Sequence, residues 1–372
     1  MNILVSFNSL QVWQEAINQS GECPRMPLVY PFSAAFHNRN HKIFAIDYSN
    51  AVNPNGSASP FEQIYQQNEL LQALRNVDLA LIWGSRGGFM ILRQILLSCP
   101  RRRVLLGSYV WQLSTLPTLK RKIAGMGMRF LARFARAVIV MTDEQLSLAK
   151  QMLPSRIPVI RFVCGVDTGF YKTKSNYSDV PDIHRCCIDK LLAKPYAIMP
   201  GDQMRYDNDA IDLVKNSDIR LVRVFREAKT ETWFNEQIQK HGLNDRLFVF
   251  KDIGHVFLRF LLQNASAYLG LVDSSWQPAG WTVACEALAS GLPVVMYEGL
   301  VSRELIRMGA GENILRYVAK KDIKGLRSIL ENTISENTNP ETAKQARDFA
   351  ATNLDLEKTG EEFVRQVEML TA

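Results

Sequence analysis

The residues best placed to do chemistry lie in SSWQPAGWTVACEALASGLPVV, Ser274 to Val295. Gly280 permits close backbone approach by a ligand. Thr282 is expected to cap a helix beginning at Val283, which Gly291 closes before Pro293. The amides of Val283, Ala284 and Cys285 would then be free at the helix start, where donors and dipole together bind phosphate. Glu286 is the one carboxylate of the stretch, a turn further in, where it can accept hydrogen bonds from vicinal hydroxyls. Phosphate beside a diol describes a nucleotide. The same spacing also suits a glutamate that only complements the helix dipole, and spacing alone does not choose between the two.

Positioning such a turn requires a strand before it and a helix after it, and the chain repeats that unit. NILVSF, KIFAIDY, DLALIW, RVLLGSY, AVIVMT and PVIRFV are short continuous apolar runs, suited to strands buried on both faces of a parallel sheet. FEQIYQQNELLQALRNV and DEQLSLAKQML between them read as helices, the second capped by Asp143. A polar stretch, Tyr171 to Lys194, interrupts the rhythm, which restarts with YAIMPG, RLVRVF, RLFVFKD, AYLGLVD and PVVMYE. The expected fold is α/β: two doubly wound, Rossmann-like domains facing a cleft, followed by C-terminal helices. The expected organisation is a first domain over residues 1–170, a joint over 171–194, a second domain over 195–352, and a last helix over 353–372 that packs back on the first domain. Ligands of such sheets sit beyond the carboxyl ends of the strands, which directs attention to the loops there.

The 372 residues, 47% of them hydrophobic, suffice for two cores. No run approaches the roughly 18 apolar residues of a membrane span. The start, MNILVSFNSL, reads as a buried strand and not as a signal peptide, and the location expected is cytoplasmic. The six cysteines form no C-x-x-C pair and the five histidines have no metal-ligand spacing, so reduced thiols and no metal site are expected.

EALASGLPVV after a glycine-bearing loop resembles the nucleotide-sugar site of GT-B glycosyltransferases, above all the GT4-like retaining group. RNHKIFAID, ARAVIVMTDEQLSLAK, CGVDTGFY and GLVSRELIRMGAGENILRYVAKKDIKGL are similar to segments of that family and stand in the same order, so the likeness runs nearly the whole length. It implies transfer of a sugar from a UDP- or GDP-sugar, with retention, without a metal at the reaction centre and without a cofactor beyond the donor. The helix start would hold the diphosphate through Thr282 and Val283, and Glu286 the ribose.

Three departures stand out. The family's E-x7-E would place an acid eight residues before Glu286; that position is Pro278, with Gln277 the nearest polar side chain. In PGDQMRYDNDA the family's arginine position holds Asp202 and its lysine position near Asn208 holds no cation; Arg205 is the cation available, with Arg226 and Lys229 after RLVRVF. The family's acceptor-side histidine is also missing, with Gly107, Ser108 and Tyr109 in that loop. A different nucleotide-sugar chemistry, such as epimerisation, and a non-catalytic binding or scaffold protein are the competing readings.

On the acceptor side the net charge of +7 is concentrated, with no acid between Asp78 and Asp143. Leu119 to Arg136 reads as a helix in which Leu119, Ile123, Phe130 and Phe134 form one stripe and Lys122, Arg129, Arg133 and Arg136 another, about one hundred degrees away. This suits peripheral contact with an anionic membrane, and equally a helix packed on the sheet with solvated cations. The acceptor would be anionic, a lipid or glycan before nucleic acid, since few aromatics interleave with the cations. Arg86, in WGSRGGF after a strand, could touch it, as could Ser108 and Tyr109.

Overall fold

The computed structural model describes residues 1–7, 24, 34–47, 63–66, 70–83, 104–107, 126, 132, 135–202, 204–275, 277–336 and 340–371. The chain divides into two compact units. One comprises Met1–Ser20, Arg25–Gly165 and Leu356–Ala372; the other comprises Gly21–Pro24 and Val166–Asp355.

The first unit is built on seven strands: β1 (Asn2–Phe7), β2 (Lys42–Asp47), β3 (Gln63–Gln66), β4 (Leu79–Trp83), β5 (Val104–Gly107), β6 (Ala135–Val140) and β7 (Val159–Arg161). Their order is β3-β2-β1-β4-β5-β6-β7, with every pairing parallel. The described helices are α1 (Ala34–His37), α2 (Leu70–Asn76) and α3 (Asp143–Met152).

Three local expectations change. FEQIYQQNELLQALRNV is not one helix: QIYQ pairs with β2 as an edge strand, where Ile64 and Tyr65 suit a sheet, and among the described residues only α2 is helical. Thr142, not Asp143, caps α3; its hydroxyl accepts from the Gln145 amide, and the Gln145 side chain returns to the Thr142 amide. Arg136 lies in β6 and not on a membrane-facing helix. Its Nε donates to the Leu370 carbonyl at 2.8 Å, which satisfies an orphan acceptor at the end of the Leu356–Thr371 helix. That helix joins the first unit through its apolar face: Phe363, 1% exposed, packs edge-on against Phe162 and Phe36. Glu368 takes Arg39 and His41 at 2.7 and 2.9 Å.

The second unit holds β8 (Ala197–Pro200), β9 (Leu221–Phe225), β10 (Leu247–Lys251), β11 (Ala267–Gly270), β12 (Val294–Tyr297) and β13 (Leu315–Val318), ordered β10-β9-β8-β11-β12-β13 and parallel throughout. Its helices are α4 (Thr168–Lys172), α5 (Arg185–Leu192), α6 (Asp207–Lys215), α7 (Ala228–His241), α8 (His255–Asn264), α9 (Trp281–Ser290), α10 (Leu300–Arg307), α11 (Ile323–Glu336) and α12 (Pro340–Asn353). The helix Leu356–Thr371 is then α13. The expected fold class, two doubly wound parallel α/β units, is the one observed.

Residues of β8, β9, β11 and β12 are buried throughout, the reason these strands read as unbroken apolar runs. The exception in composition is Arg223 in β9, which is 0% exposed. Its charge is tolerated because Asp207 takes Nε at 3.0 Å, the Met199 and Val224 carbonyls take Nη1, and the rings of Phe225 and Phe234 face it. The pair fixes the first residue of α6 to β9, next to the edge strand β10. Strand order reverses between β8 and β11, so the loops leaving their carboxyl ends splay apart there and leave a crevice for a ligand.

Candidate functional site

The loops at that crevice are knitted together by main chain. Tyr206 donates its amide to Leu271, Asp273 to Met204, and Arg205 bridges Val272. Lys320, after β13, reaches Asp273 at 2.6 Å, and the Ser275 hydroxyl bonds the same carboxylate oxygen. These contacts hold the Asp273 carboxyl below its ordinary value despite partial burial.

The helix α9 starts two residues earlier than its sequence suggests. Gly280, at φ +82°, is the residue before the helix, and Trp281 is its first member; Thr282 is therefore inside the first turn and caps nothing. The physical reason is space as well as conformation. A β-carbon on Gly280 would stand 3.0 Å from Val272 Cγ1 and 3.2 Å from Arg205 Nη1, in a left-handed conformation that side chains avoid. The open donors shift accordingly. Trp281 bonds back to Pro278 and Ala284 to Gly280, so Thr282 and Val283 carry the first-turn amides without a helical acceptor, and Ala284 is no longer among them. At the far end Gly291 adopts φ +85° and ends the helix, as its position predicts.

Beneath this helix start lies Arg205. Its Nη2 donates to the Pro200 carbonyl at 2.6 Å, while Nε and Nη1 are buried without a hydrogen-bond acceptor. Tyr268, wholly buried in β11, sets its hydroxyl beside the same guanidinium. The start of α9 thus carries two open amides, with the Arg205 guanidinium close beneath Gly280, and such donors suit an anion.

Glu286 lies one turn further along α9 and is 7% exposed. Burial pushes its carboxyl up to about 7; the Tyr171 hydroxyl and the charge of Arg226 act in the opposite direction. Tyr171 comes from α4, and the burial of both residues makes their contact part of the packing of α4 on α9. Arg226 also faces His255, the first residue of α8. His255 keeps Nδ1 buried and without a partner, and burial, then the Arg226 charge, lowers its basicity. Asp202 does not face a phosphate from the family's arginine position; its carboxylate accepts the Arg226 amide at 2.9 Å.

The remaining candidates separate. Gln277 is half-buried and donates Nε2 to Met204 Sδ. Lys229 is 83% exposed, pairs with Glu227 at 2.8 Å, and borders a cavity that Glu286 and Arg226 do not line. Arg86, Ser108, Tyr109, Lys122, Arg129 and Arg133 lie outside the described residues. Sequence alone does not mark Tyr171, Tyr268 or His255 as a set of site residues. Only His255 offered a signal there, a histidine opening a helix just past a strand end. Among the described residues no group of His, Cys, Asp or Glu side chains is placed to hold a metal ion, and no helix is long and apolar enough to cross a membrane.

Residues 208–349 match the family model described as glycosyl transferases group 1. No curated protein sequence matches. Among solved structures, sucrose-phosphate synthase from Thermosynechococcus elongatus is similar with a TM-score of 0.73 at 12% identity, over 100% of this chain and 99% of that one. Anabaena Alr3699/HepE, solved in complex with UDP and glucose, is similar with a TM-score of 0.74 at 14% identity, over 99% and 100%. A glycosyltransferase from Rickettsia africae ESF-5 is similar with a TM-score of 0.67 at 12% identity, over 100% and 98%. Residues 208–349 thus carry a glycosyl transferases group 1 domain, and the fold over the whole length is the one seen in these solved structures.

Proposed function

We propose that the protein transfers a sugar from a UDP- or GDP-sugar, with retention, in the manner of the GT4-like group that the EALASGLPVV segment resembles. The observation that carries the donor assignment is the start of α9, with the open amides of Thr282 and Val283 above the unpartnered donors of Arg205. In this reading the diphosphate lies on those groups, and the charge that develops on the leaving diphosphate is offset by main-chain dipoles and Arg205 without a metal ion. Glu286 accepts the ribose hydroxyls, and Arg226 faces its carboxylate from the neighbouring loop. The binding of UDP by Anabaena HepE supports a nucleotide of this class. The altered half of the pocket is the sugar end, where Pro278 is buried and Gln277 is engaged by Met204.

Calorimetry with UDP, GDP, ADP and their sugars tests the assignment. One nucleotide diphosphate is expected to bind with a dissociation constant of about 0.1 mM or tighter, and the slow hydrolysis of its sugar conjugate is expected to persist in EDTA. Absence of nucleotide binding at millimolar concentration would sink the proposal, and loss of hydrolysis with EDTA its metal-free part.

For the acceptor we propose an anionic partner at a membrane surface, on the strength of the acid-free window between Asp78 and Asp143. Arg136 no longer belongs to that argument, because it caps α13. Sedimentation with phosphatidylglycerol vesicles is expected to show binding at low ionic strength that salt weakens; failure to sediment at low salt rejects it.

A further inference from the structure

A cavity of about 660 Å³ opens at the start of α6, within the range of small-molecule sites. Arg205 borders it from the donor side, whereas Gly280, Thr282, Glu286 and Arg226 do not line it. Its position is set by different packing from the donor site: α6 lies against α11, whereas α9 lies against α4, α8 and α12.

The walls are anchored in the core. Tyr206 packs edge-on against Tyr297 at 5.5 Å, and Trp233 against Phe234 at 4.8 Å, and both supporting residues are 0% exposed. Both rings line the space. Two carboxylates line it as well, each with one oxygen already committed: Asp207 Oδ1 to Arg223 at 3.0 Å, and Asp209 Oδ2 to the Tyr297 hydroxyl at 2.7 Å. Fixed in this way, the second oxygen of each is an oriented acceptor for a ligand hydroxyl. Lys321 stands at the rim in a left-handed turn, φ +64°, and forms no ion pair among the described residues. Lys229 stands opposite on α7, its pairing with Glu227 weakened by solvent, and Arg205 forms the edge toward α9.

Rings for an apolar face, paired carboxylates for hydroxyls and cations for an anion describe one kind of ligand. We propose that this cavity is a second ligand site, adjoining the nucleotide site at Arg205, and that it takes a phosphorylated monosaccharide. The sugar ring lies between Tyr206 and Trp233, its hydroxyls on Asp207 and Asp209, and its phosphate on Lys321 and Lys229. Such a ligand is an acceptor or an effector, and the same chemistry recognises either.

Calorimetry of the full chain with glucose 6-phosphate, mannose 6-phosphate and glucose 1-phosphate, in the absence of nucleotide, tests this. At least one is expected to bind with a dissociation constant of about 1 mM or tighter, with the parent hexose and inorganic phosphate each weaker by about tenfold. Lys321→Asn, which tolerates the left-handed backbone, and Asp209→Asn, which keeps an acceptor for Tyr297, should each weaken that binding by about tenfold while the UDP isotherm is unchanged. Activity with and without the bound hexose phosphate then separates the two sources: consumption marks an acceptor, an altered rate without consumption an effector. The proposal is overturned if no hexose phosphate binds, if both variants bind as the unaltered chain does, or if saturating UDP displaces the ligand competitively. Failure of UDP to bind would count against the donor site alone, because the hexose phosphate isotherm is recorded without it.

Discussion

Arg205→Ala is expected to weaken nucleoside diphosphate binding on the order of a hundredfold and to leave binding of the bare nucleoside within about twofold. A hydrogen bond to a charged group contributes about 1.5–3 kcal/mol, and Arg205 offers two buried donors, Nε and Nη1, with only the Tyr268 hydroxyl beside the guanidinium. Its third nitrogen is fixed by the Pro200 carbonyl, so the guanidinium pays little additional ordering entropy when an anion arrives. The nucleoside control matters because the substitution also empties space beneath Gly280, where Arg205 Nη1 and Val272 close the gap. A purely structural loss would impair nucleoside and diphosphate alike. Titration of uridine and UDP against both proteins reads the difference, and equal losses for the two ligands would remove Arg205 from the diphosphate site. Arg205→Lys should recover part of the affinity, since it restores the charge but not the forked donors.

This cation also shows what could be read in advance. In the sequence Arg205 stands out as the nearest positive charge in a loop whose usual arginine and lysine positions hold Asp202 and Asn208. Sequence could not show that Asp202 instead binds the Arg226 amide, a contact spanning two loops. Strands were legible because burial on both faces leaves continuous apolar runs, and β8, β11 and β12 are such runs. QIYQ reads as helix in the sequence because four residues carry too little periodicity to outweigh the helical stretch that follows. Thr282 draws the expected start of α9 two residues too far along the chain, because Thr is a good capping residue in isolation. What decides the register is Gly280, whose left-handed conformation depends on the close approach of Val272 and Arg205. Tyr171 and Glu286 meet only once α4 packs on α9, and no local pattern links residues so far apart in the chain. Arg223 was hidden for the opposite reason: within RLVRVF it looks like a surface residue of a strand, and only Asp207 and the carbonyls around it explain its burial.

Glu286→Gln should do two opposite things, and the pH at which each is measured separates them. The carboxyl of Glu286 is raised from 4.5 to about 7 in the folded chain, chiefly by burial. A raised carboxyl means that the folded chain holds a proton that the unfolded chain has released. The stability associated with this group is therefore fully present below pH 4.5, declines as pH rises through the window up to 7, and is absent above it. At pH 8 the buried carboxylate costs about 3 kcal/mol relative to a neutral group, and the glutamine variant should be more stable by up to that amount. At pH 4 the two should unfold alike. Nucleotide binding should move the other way. Ionised Glu286 accepts from both ribose hydroxyls, whereas the amide offers one acceptor oxygen and brings donors that match the diol poorly. The variant should lose about 1.5–3 kcal/mol of uridine affinity at pH 8. Uridine carries no titrating phosphate, so its affinity for the unaltered chain should rise from pH 6 to pH 8, while that of the variant stays flat. Denaturant melts at pH 4 and pH 8, with uridine titrations at pH 6 and pH 8, make the full measurement. A variant that is no more stable at pH 8 would deny the burial cost. One that binds uridine as tightly as the unaltered chain would reduce Glu286 to a residue that only complements the dipole of α9. Stability gained together with affinity lost is the signature of a charge kept in the fold for its ligand, since packing alone would favour the neutral side chain.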